Sequence, residues 1–212
     1  MKRIVKDGAP DFLDTYVKKH PKSLYCDLDT IDDGRMLRNQ LREHLVKHQK
    51  MICCYCCSSI EADASSAHNE HIKPQSVYPK ESLRYDNLLA SCNGNNICGK
   101  AKGNRYEEGR FVFPTEEGCE DRFYYLENGR IEGATDEGRN TIKLLNLNQS
   151  NLVAKRKSQF KQCLTLAQCM GKEYVLQEYI QENNSKLREY VDMTTYFYNR
   201  GVFDSDICDA SN

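Results

Sequence analysis

Cysteines constrain the fold of this chain more than any other feature. The 212 residues include 11 cysteines, and the run CCYCC at 53–57 holds four of them. Cys53 and Cys56 form a C-x2-C pair, and Cys92 and Cys98 form a second, looser pair further along. Two thiolate pairs on separate turns are typical of a tetrahedral structural zinc site. The sequence therefore predicts that zinc joins two segments that are distant in the chain.

The register of the first pair is open, because Cys54 and Cys57 have the same spacing one residue later. The alternative to zinc is a set of buried free thiols, which pack as small hydrophobic groups. Four cysteines in five residues would be an unusual core, so we predict zinc. We choose Cys53 and Cys56 with the later pair, a register that rests partly on the family resemblance of the motifs at 68–104. The isolated cysteines are expected to be packed or at the surface: Cys26, Cys119, Cys163, Cys169 and Cys208.

The net charge of the whole chain does not indicate nucleic-acid binding. The formal net charge is -1, whereas a dedicated backbone binder usually has a basic excess. Basic residues are concentrated in 98–110 and 155–161, and acidic residues in 113–138. No apolar run reaches the roughly 18 to 20 residues of a membrane span, and the start resembles no secretory signal. We therefore expect a cytoplasmic protein that depends on a partner to capture a polyanion.

The hydrophobic pattern predicts an α+β chain. Leu37, Leu41 and Leu45 recur every four residues and predict a helix over 34–50. Short strands are predicted at 66–73, ending before Pro74, and at 88–92, with a short helix over 98–108. Asn128-Gly129 predicts a hairpin turn, and helices are predicted over 136–145, 150–170 and 173–198. The predicted segments are an N-terminal helical segment (1–50), a core with the zinc site (51–108), a β-hairpin-like insertion (109–134), a C-terminal helical region (135–200) and a tail (201–212).

Three motifs lie within this core. They are HNEHIKPQS at 68–76, DNLL at 86–89 and KAKGN at 100–104. Together they resemble the HNH (ββα-metal) nuclease pattern over about residues 51–105. The pattern looks most like the HNH subunit, often called PtuB, of Septu and retron-associated antiphage defence systems. The resemblance implies a small zinc-stapled ββα-metal motif in a mainly helical domain, and an ABC-type ATPase or a reverse transcriptase as partner.

The resemblance also implies roles for individual residues. Phosphodiester hydrolysis needs a base that works near neutral pH and a cation that absorbs developing charge. His71 is expected to be the base, Glu70 a ligand for Mg²⁺ or Mn²⁺, and Asn87 the residue that orients the loop or the imidazole. Lysines near the motifs are expected to contact substrate phosphates: Lys73, Lys100 and Lys102.

One position departs from the family pattern. Many members have Asn or His directly after the last zinc cysteine as a further metal ligand, and this chain has Gly99. The replacement is open among Asn104, which we favour, Asn96, His68 and additional water.

The function also has alternatives. DNA is the default substrate that the resemblance implies, and RNA, including tRNA, is open to the same chemistry. A chain that has lost catalysis would be a zinc-stabilised module that binds nucleic acid or protein, or a scaffold whose helical half docks on a partner. His44 and His48 share a helix face, but a solvated face is the simpler interpretation because the H-E-x-x-H order is absent.

Overall fold

The computed structural model describes residues 1–204, so Cys208 and most of the predicted tail lie outside the described part. Helices and strands are both present, as the sequence predicts. The helices are α1 (Asp11–Lys19), α2 (Gly34–His48), α3 (Cys98–Lys102), α4 (Asp136–Leu144), α5 (Ser150–Met170), α6 (Lys172–Val175) and α7 (Val191–Tyr198). The strands are β1 (Ala67–His71), β2 (Leu88–Cys92), β3 (Phe123–Tyr125) and β4 (Ile131–Gly133). None of the helices in this range is long and apolar enough to cross a membrane.

Helix α2 carries the apolar stripe that the sequence predicts. Its leucines at 37, 41 and 45 are all buried, and the helix packs against β1 and β2. It ends at His48 rather than at residue 50, because Lys50 and Met51 both have left-handed backbone angles (φ 57° and 65°). The chain thus turns sharply out of the helix and directly into the cysteine run.

Strands β1 and β2 form an antiparallel pair, and α3 follows β2. The register places Glu70 opposite Leu89 and His71 opposite Leu88. Every residue of β2 is buried, which is the pattern of a strand covered on both faces. Helix α3 begins after a short turn and contacts β2. The two strands and the helix therefore place the three sequence motifs next to one another.

The predicted β-hairpin is confirmed. Strands β3 and β4 are antiparallel, and Gly129 in the connecting turn has a φ of 88° that favours glycine. Helix α4 then begins after Thr135, whose hydroxyl accepts a hydrogen bond from the Gly138 amide at 3.2 Å. The main cluster of buried apolar residues extends from Met1 to Phe203, so the segments share one core.

The continuous helix predicted over 173–198 is wrong. Helix α6 ends at Val175, a π turn covers Leu176–Ile180, and α7 starts only at Val191. Between them the main chain bonds to residues 50–57, a segment that ends with the cysteine run. The Leu187 amide donates to Lys50 O at 3.0 Å and the Tyr190 amide to Cys57 O at 2.7 Å. These tertiary hydrogen bonds outweigh a helix preference that is weak by itself.

Candidate metal centre and active site

Four buried cysteines form a candidate metal centre at the end of β2. The Sγ atoms of Cys53, Cys56, Cys92 and Cys98 all lie within 4.8 Å of one another. These are the cysteines predicted from the sequence, in the predicted register. Cys57 instead packs in a separate small cluster with Ile52 and Val191.

The local backbone presents these sulfurs to one point. The run 53–57 forms a tight turn in which the Cys57 amide donates to Cys53 O at 3.1 Å. The Cys92 amide points at Cys53 Sγ at 3.3 Å, an arrangement that stabilises a thiolate. Cys98 has a φ of 54°, which turns the start of α3 back toward the C-x2-C pair of Cys53 and Cys56. The two pairs therefore meet although 36 residues separate Cys56 from Cys92.

The electrostatics of the cluster fit a divalent cation. Burial raises the pKa of Cys53, but hydrogen bonds from the neighbouring thiols bring it well below its ordinary value. Burial and the nearby Cys53 thiolate raise the pKa of Cys98 well above its ordinary value. Four buried thiols cannot all ionise without a compensating charge. An S₄ donor set is the set that Zn²⁺ prefers in structural sites, so the residues fit zinc.

Glu70, the fourth residue of β1, is the buried carboxylate of the site. Its Oε1 accepts hydrogen bonds from Tyr55 Oη at 3.0 Å and from Lys102 Nζ at 2.7 Å. Its Oε2 lies 3.2 Å from His68 Nε2. Burial raises the pKa of Glu70, but the His68 hydrogen bond and the Lys102 charge lower it below the ordinary value. The carboxyl group is therefore ionised at neutral pH.

His68 faces that carboxylate with a nitrogen that carries no proton when the ring is neutral. Asn93 Nδ2 donates to Ala64 O at 2.8 Å, so Asn93 Oδ1 is the atom 2.8 Å from His68 Nδ1. Because an amide oxygen only accepts, Nδ1 carries a proton, and Nε2 has a free lone pair whenever the ring is neutral. A protonated ring donates from Nε2 to the carboxylate as an ion pair at 3.2 Å, and a neutral ring presents Nε2 beside the carboxylate as a second metal ligand.

The space in which these two groups meet exists because residue 99 is glycine. A Cβ at Gly99 would lie 2.5 Å from His68 Nε2 and closer still to Glu70 Oε2. Gly99 is itself fixed, since its amide donates to Ser91 Oγ at 3.2 Å. The imidazole of His68 therefore occupies the place that a side chain at position 99 would take. Asn104, favoured from the sequence, lies on the exposed turn after α3, and the groups that bond to Glu70 are His68, Tyr55 and Lys102.

His71 is the last residue of β1 and is largely buried. Its Nε2 lies 3.0 Å from Ser82 O, and its ring meets the Tyr25 ring edge-on at 4.6 Å between centroids. A carbonyl oxygen only accepts, so Nε2 carries the proton and Nδ1 is the basic nitrogen. Burial, the largest influence, lowers the pKa of His71 below its ordinary value. The ring is therefore neutral at pH 7, the form that a general base needs.

Asn87 joins the loop after β1 to the start of β2. Its Oδ1 accepts from the Lys73 amide at 2.7 Å, and its Nδ2 donates to Lys73 O at 3.0 Å and to Glu81 O at 3.1 Å. Ser82 follows Glu81 in that loop, and its carbonyl oxygen accepts the hydrogen bond from His71 Nε2. The side-chain hydrogen bonds of Asn87 thus go to the loop.

The three lysines expected to bind phosphate differ in exposure. Lys100 is exposed, and Lys73 is half-buried with its Nζ 3.7 Å from Glu81 Oε1. Lys102 is only 2% exposed, and its Nζ donates to Glu70 Oε1 and to His71 O, both at 2.7 Å. Its ammonium group is therefore bound to Glu70 and His71 inside the site. From the sequence we expect it to contact a substrate phosphate instead. Tyr55 and Lys102 are the polar contacts of the carboxylate that sequence reasoning missed.

A known protein is similar to most of this chain. It comes from Vibrio cholerae serotype O1 biovar El Tor, is named "Retron Vc95 putative HNH endonuclease", and is 26% identical over 201 residues. The match covers 86% of this chain and 96% of that protein. No protein-family model matches the chain. The similarity supports a nuclease of the HNH type, and the four-cysteine cluster is compatible with the zinc expected of it.

Proposed function

We propose that this chain is a metal-dependent HNH-type endonuclease that hydrolyses phosphodiester bonds of nucleic acid, with DNA as the first substrate to test. The observation that carries the proposal is the approach of His68 Nε2 to the ionised Glu70 carboxylate at 3.2 Å, next to a buried neutral histidine. An imidazole nitrogen beside a carboxylate oxygen is a pair of ligands that a divalent cation takes, and a cation bound there would displace any proton from Nε2. The V. cholerae similarity supports the same chemistry.

His71 would act as the general base. Its proton-bearing Nε2 is held by Ser82 O, which leaves Nδ1 to take a proton from the attacking water. Asn87 would act indirectly, by fixing the loop that carries this carbonyl.

Glu70 and His68 would hold the catalytic Mg²⁺ or Mn²⁺. The cation would stabilise the negative charge that develops on the phosphorane and on the leaving oxygen. Tyr55 and Lys102 bind only Oε1 of the carboxylate, so they fix its orientation and leave Oε2 directed at His68. In this assignment His68 replaces the ligand that Gly99 lacks, and Asn104 is no longer needed for the metal.

The cysteine cluster would hold a structural Zn²⁺. Cys98 begins α3, and Gly99 and Lys102 of that helix contact the site. A zinc ion that fixes Cys98 would therefore fix the distance between α3 and β1.

The biological setting follows from the two resemblances. We propose that the chain is the nuclease of a retron-type or Septu-type antiphage system, with an ABC-type ATPase as partner. The word retron in the name of the V. cholerae protein supports the first part. The net charge of -1 supports dependence on a partner for substrate capture.

The test is a cleavage assay with purified chain, alone and with the product of a neighbouring ATPase gene. Single-stranded and duplex DNA and RNA, including tRNA, are each incubated with Mg²⁺ or Mn²⁺. We expect cleavage by the wild type, loss with His71→Ala and no loss with His20→Ala, an exposed histidine outside the site. Equal nicking by wild type and His71→Ala would refute the assignment. Binding without any cleavage would favour a zinc-stabilised binding module instead.

A further inference from the structure

A cavity of about 430 Å³ lies between the turn after α3 and helix α4. Tyr106 and Phe111 give it aromatic walls, and Lys143 and Arg110 give it positive charge. Its amide groups come from Asn104 and Asn140. Aromatic faces, cations and amides together are what a nucleotide requires, since a base stacks, a phosphate needs charge and base edges need hydrogen bonds. The volume is in the range of small-ligand sites.

Two contacts connect this cavity to the carboxylate. Phe111 in the wall packs edge-on against Tyr55, with 6.0 Å between ring centroids, and Tyr55 donates to Glu70. Arg105, which also lines the cavity, donates to Lys102 O at 3.4 Å, and the Lys102 ammonium group binds Glu70. The cavity wall is thus connected to Oε1 of the carboxylate through the buried side chains of Tyr55 and Lys102.

A second route leads from the strand that carries His71. Lys73 Nζ lies 5.6 Å from the centroid of the Tyr78 ring, and Tyr78 meets Tyr106 edge-on at 5.6 Å between centroids. Alternating cationic and aromatic groups of this kind are typical of surfaces that follow a single strand. Lys73, Tyr78 and Tyr106 therefore form a row of side chains that leads from the end of β1 into the cavity.

The groups in the cavity are available to a ligand. Lys143 is exposed and has no ion-pair partner within residues 1–204, and the one carboxylate in the lining, Glu107, pairs with Arg110 at the surface. The lining has three cations and one anion, so it is locally positive in a chain whose formal net charge is -1.

We propose that this cavity binds the nucleotide next to the scissile phosphate, with its base against Tyr106 and its phosphate near Lys143. The inference rests on the proposed nuclease function and adds its substrate class. A base inside a stacked duplex cannot enter a pocket without leaving the stack. The substrate must therefore offer an unpaired nucleotide at the cleavage position, either in a single strand or at a bulge.

Binding is tested first, without cleavage. A labelled single-stranded oligonucleotide is titrated by fluorescence anisotropy with chains that carry His71→Ala. In this background Tyr106→Ala is expected to raise Kd at least about fivefold, and Tyr106→Phe to leave it within about twofold, because the stacking ring remains. Lys143→Glu is expected to weaken binding and to reduce the slope of log Kd against log salt by about 0.7.

The matched control is Lys18→Glu. Lys18 and Lys143 are both exposed and each is the penultimate residue of a nine-residue helix, α1 or α4. The control is expected to bind like the parent. If Tyr106→Ala fails to fold, the exposed Lys143→Glu still decides the question. Equal Kd for Lys143→Glu and the parent would overturn the inference.

Cleavage with active chains then separates the inference from the proposed function. The wild type is expected to cut a duplex with one unpaired nucleotide at least about tenfold faster than the fully paired duplex. Normal cleavage and binding by the cavity variants, with loss only in His71→Ala, would overturn the nucleotide site and leave the nuclease assignment intact. A wild type that cuts nothing, while the cavity variants still lose binding, would overturn the nuclease assignment and support the binding site.

Discussion

Gly99→Ala is the smallest change that should disable the proposed metal site. The added Cβ would lie 2.5 Å from His68 Nε2 and still closer to Glu70 Oε2, where ordinary contacts are 3.4 Å or more. Lys102 and Tyr55 hold the other carboxylate oxygen, so relief must come from movement of Oε2 and the imidazole by about 1 Å. A misplacement of that size costs about 100-fold in rate, and overpacking costs about 1 to 3 kcal/mol in stability.

The assay compares single-turnover cleavage rates and thermal unfolding of Gly99→Ala and the wild type. Gly8→Ala is the control, because a Cβ at Gly8 meets nothing within 4 Å. We expect a rate at least about 100-fold below the wild type in a chain that remains folded at the assay temperature. A Gly99→Ala rate within about threefold of the Gly8→Ala rate would refute the idea that His68 and Glu70 form the reactive centre.

Three further predictions concern the zinc, the buried ion pair and pH. Cys92→Ser should lower the zinc content measured by mass spectrometry from about one ion per chain to near zero, whereas the exposed Cys169→Ser should keep it. Lys102→Met should lower the free energy of unfolding in urea by about 3 kcal/mol, since it leaves a buried carboxylate without its cation, whereas Lys100→Met on the same helix should change it by less than about 0.5. Burial lowers the pKa of Lys6 to about 8, so the folded state binds fewer protons than the unfolded state between that pH and the ordinary pKa near 10.5. The free energy of unfolding of Lys6→Met should therefore exceed that of the wild type at pH 7 by up to about 3 kcal/mol. This difference should shrink as the pH rises from 8 to 10. A difference that grows with pH would contradict the argument.

The cysteine cluster could be predicted, apart from the register of its first pair, because thiol spacing is a local property of the sequence. Cys53 and Cys56 lie on one turn whatever surrounds them, so their pairing needs no knowledge of the tertiary fold. Likewise, the leucine stripe of α2 and the Asn128-Gly129 turn depend on near neighbours in the chain. These elements occur where the patterns indicate.

Contacts between distant segments could not be predicted in this way. Lys102 looks like a surface lysine in the sequence, and only the packing of α3 against β1 shows that its ammonium group is buried on Glu70. The position of His68 depends on the missing side chain at Gly99, a spatial relation across 31 residues. The break between α6 and α7 has the same origin, because its hydrogen-bond partners lie in the cysteine run.

The return of residues 181–190 to the cysteine run bears on how far the nuclease core can be separated from the rest of the chain. Lys50 O lies just before the cysteine run and Cys57 O at its end. They accept hydrogen bonds from the amides of Leu187 and Tyr190. An excised fragment ending near residue 108 would expose both carbonyls to water and uncover the Cys57 side chain, which packs against Val191. The motif that looks most portable in the sequence is thus completed by residues almost at the other end of the chain, and a graft into another scaffold would need a substitute for them.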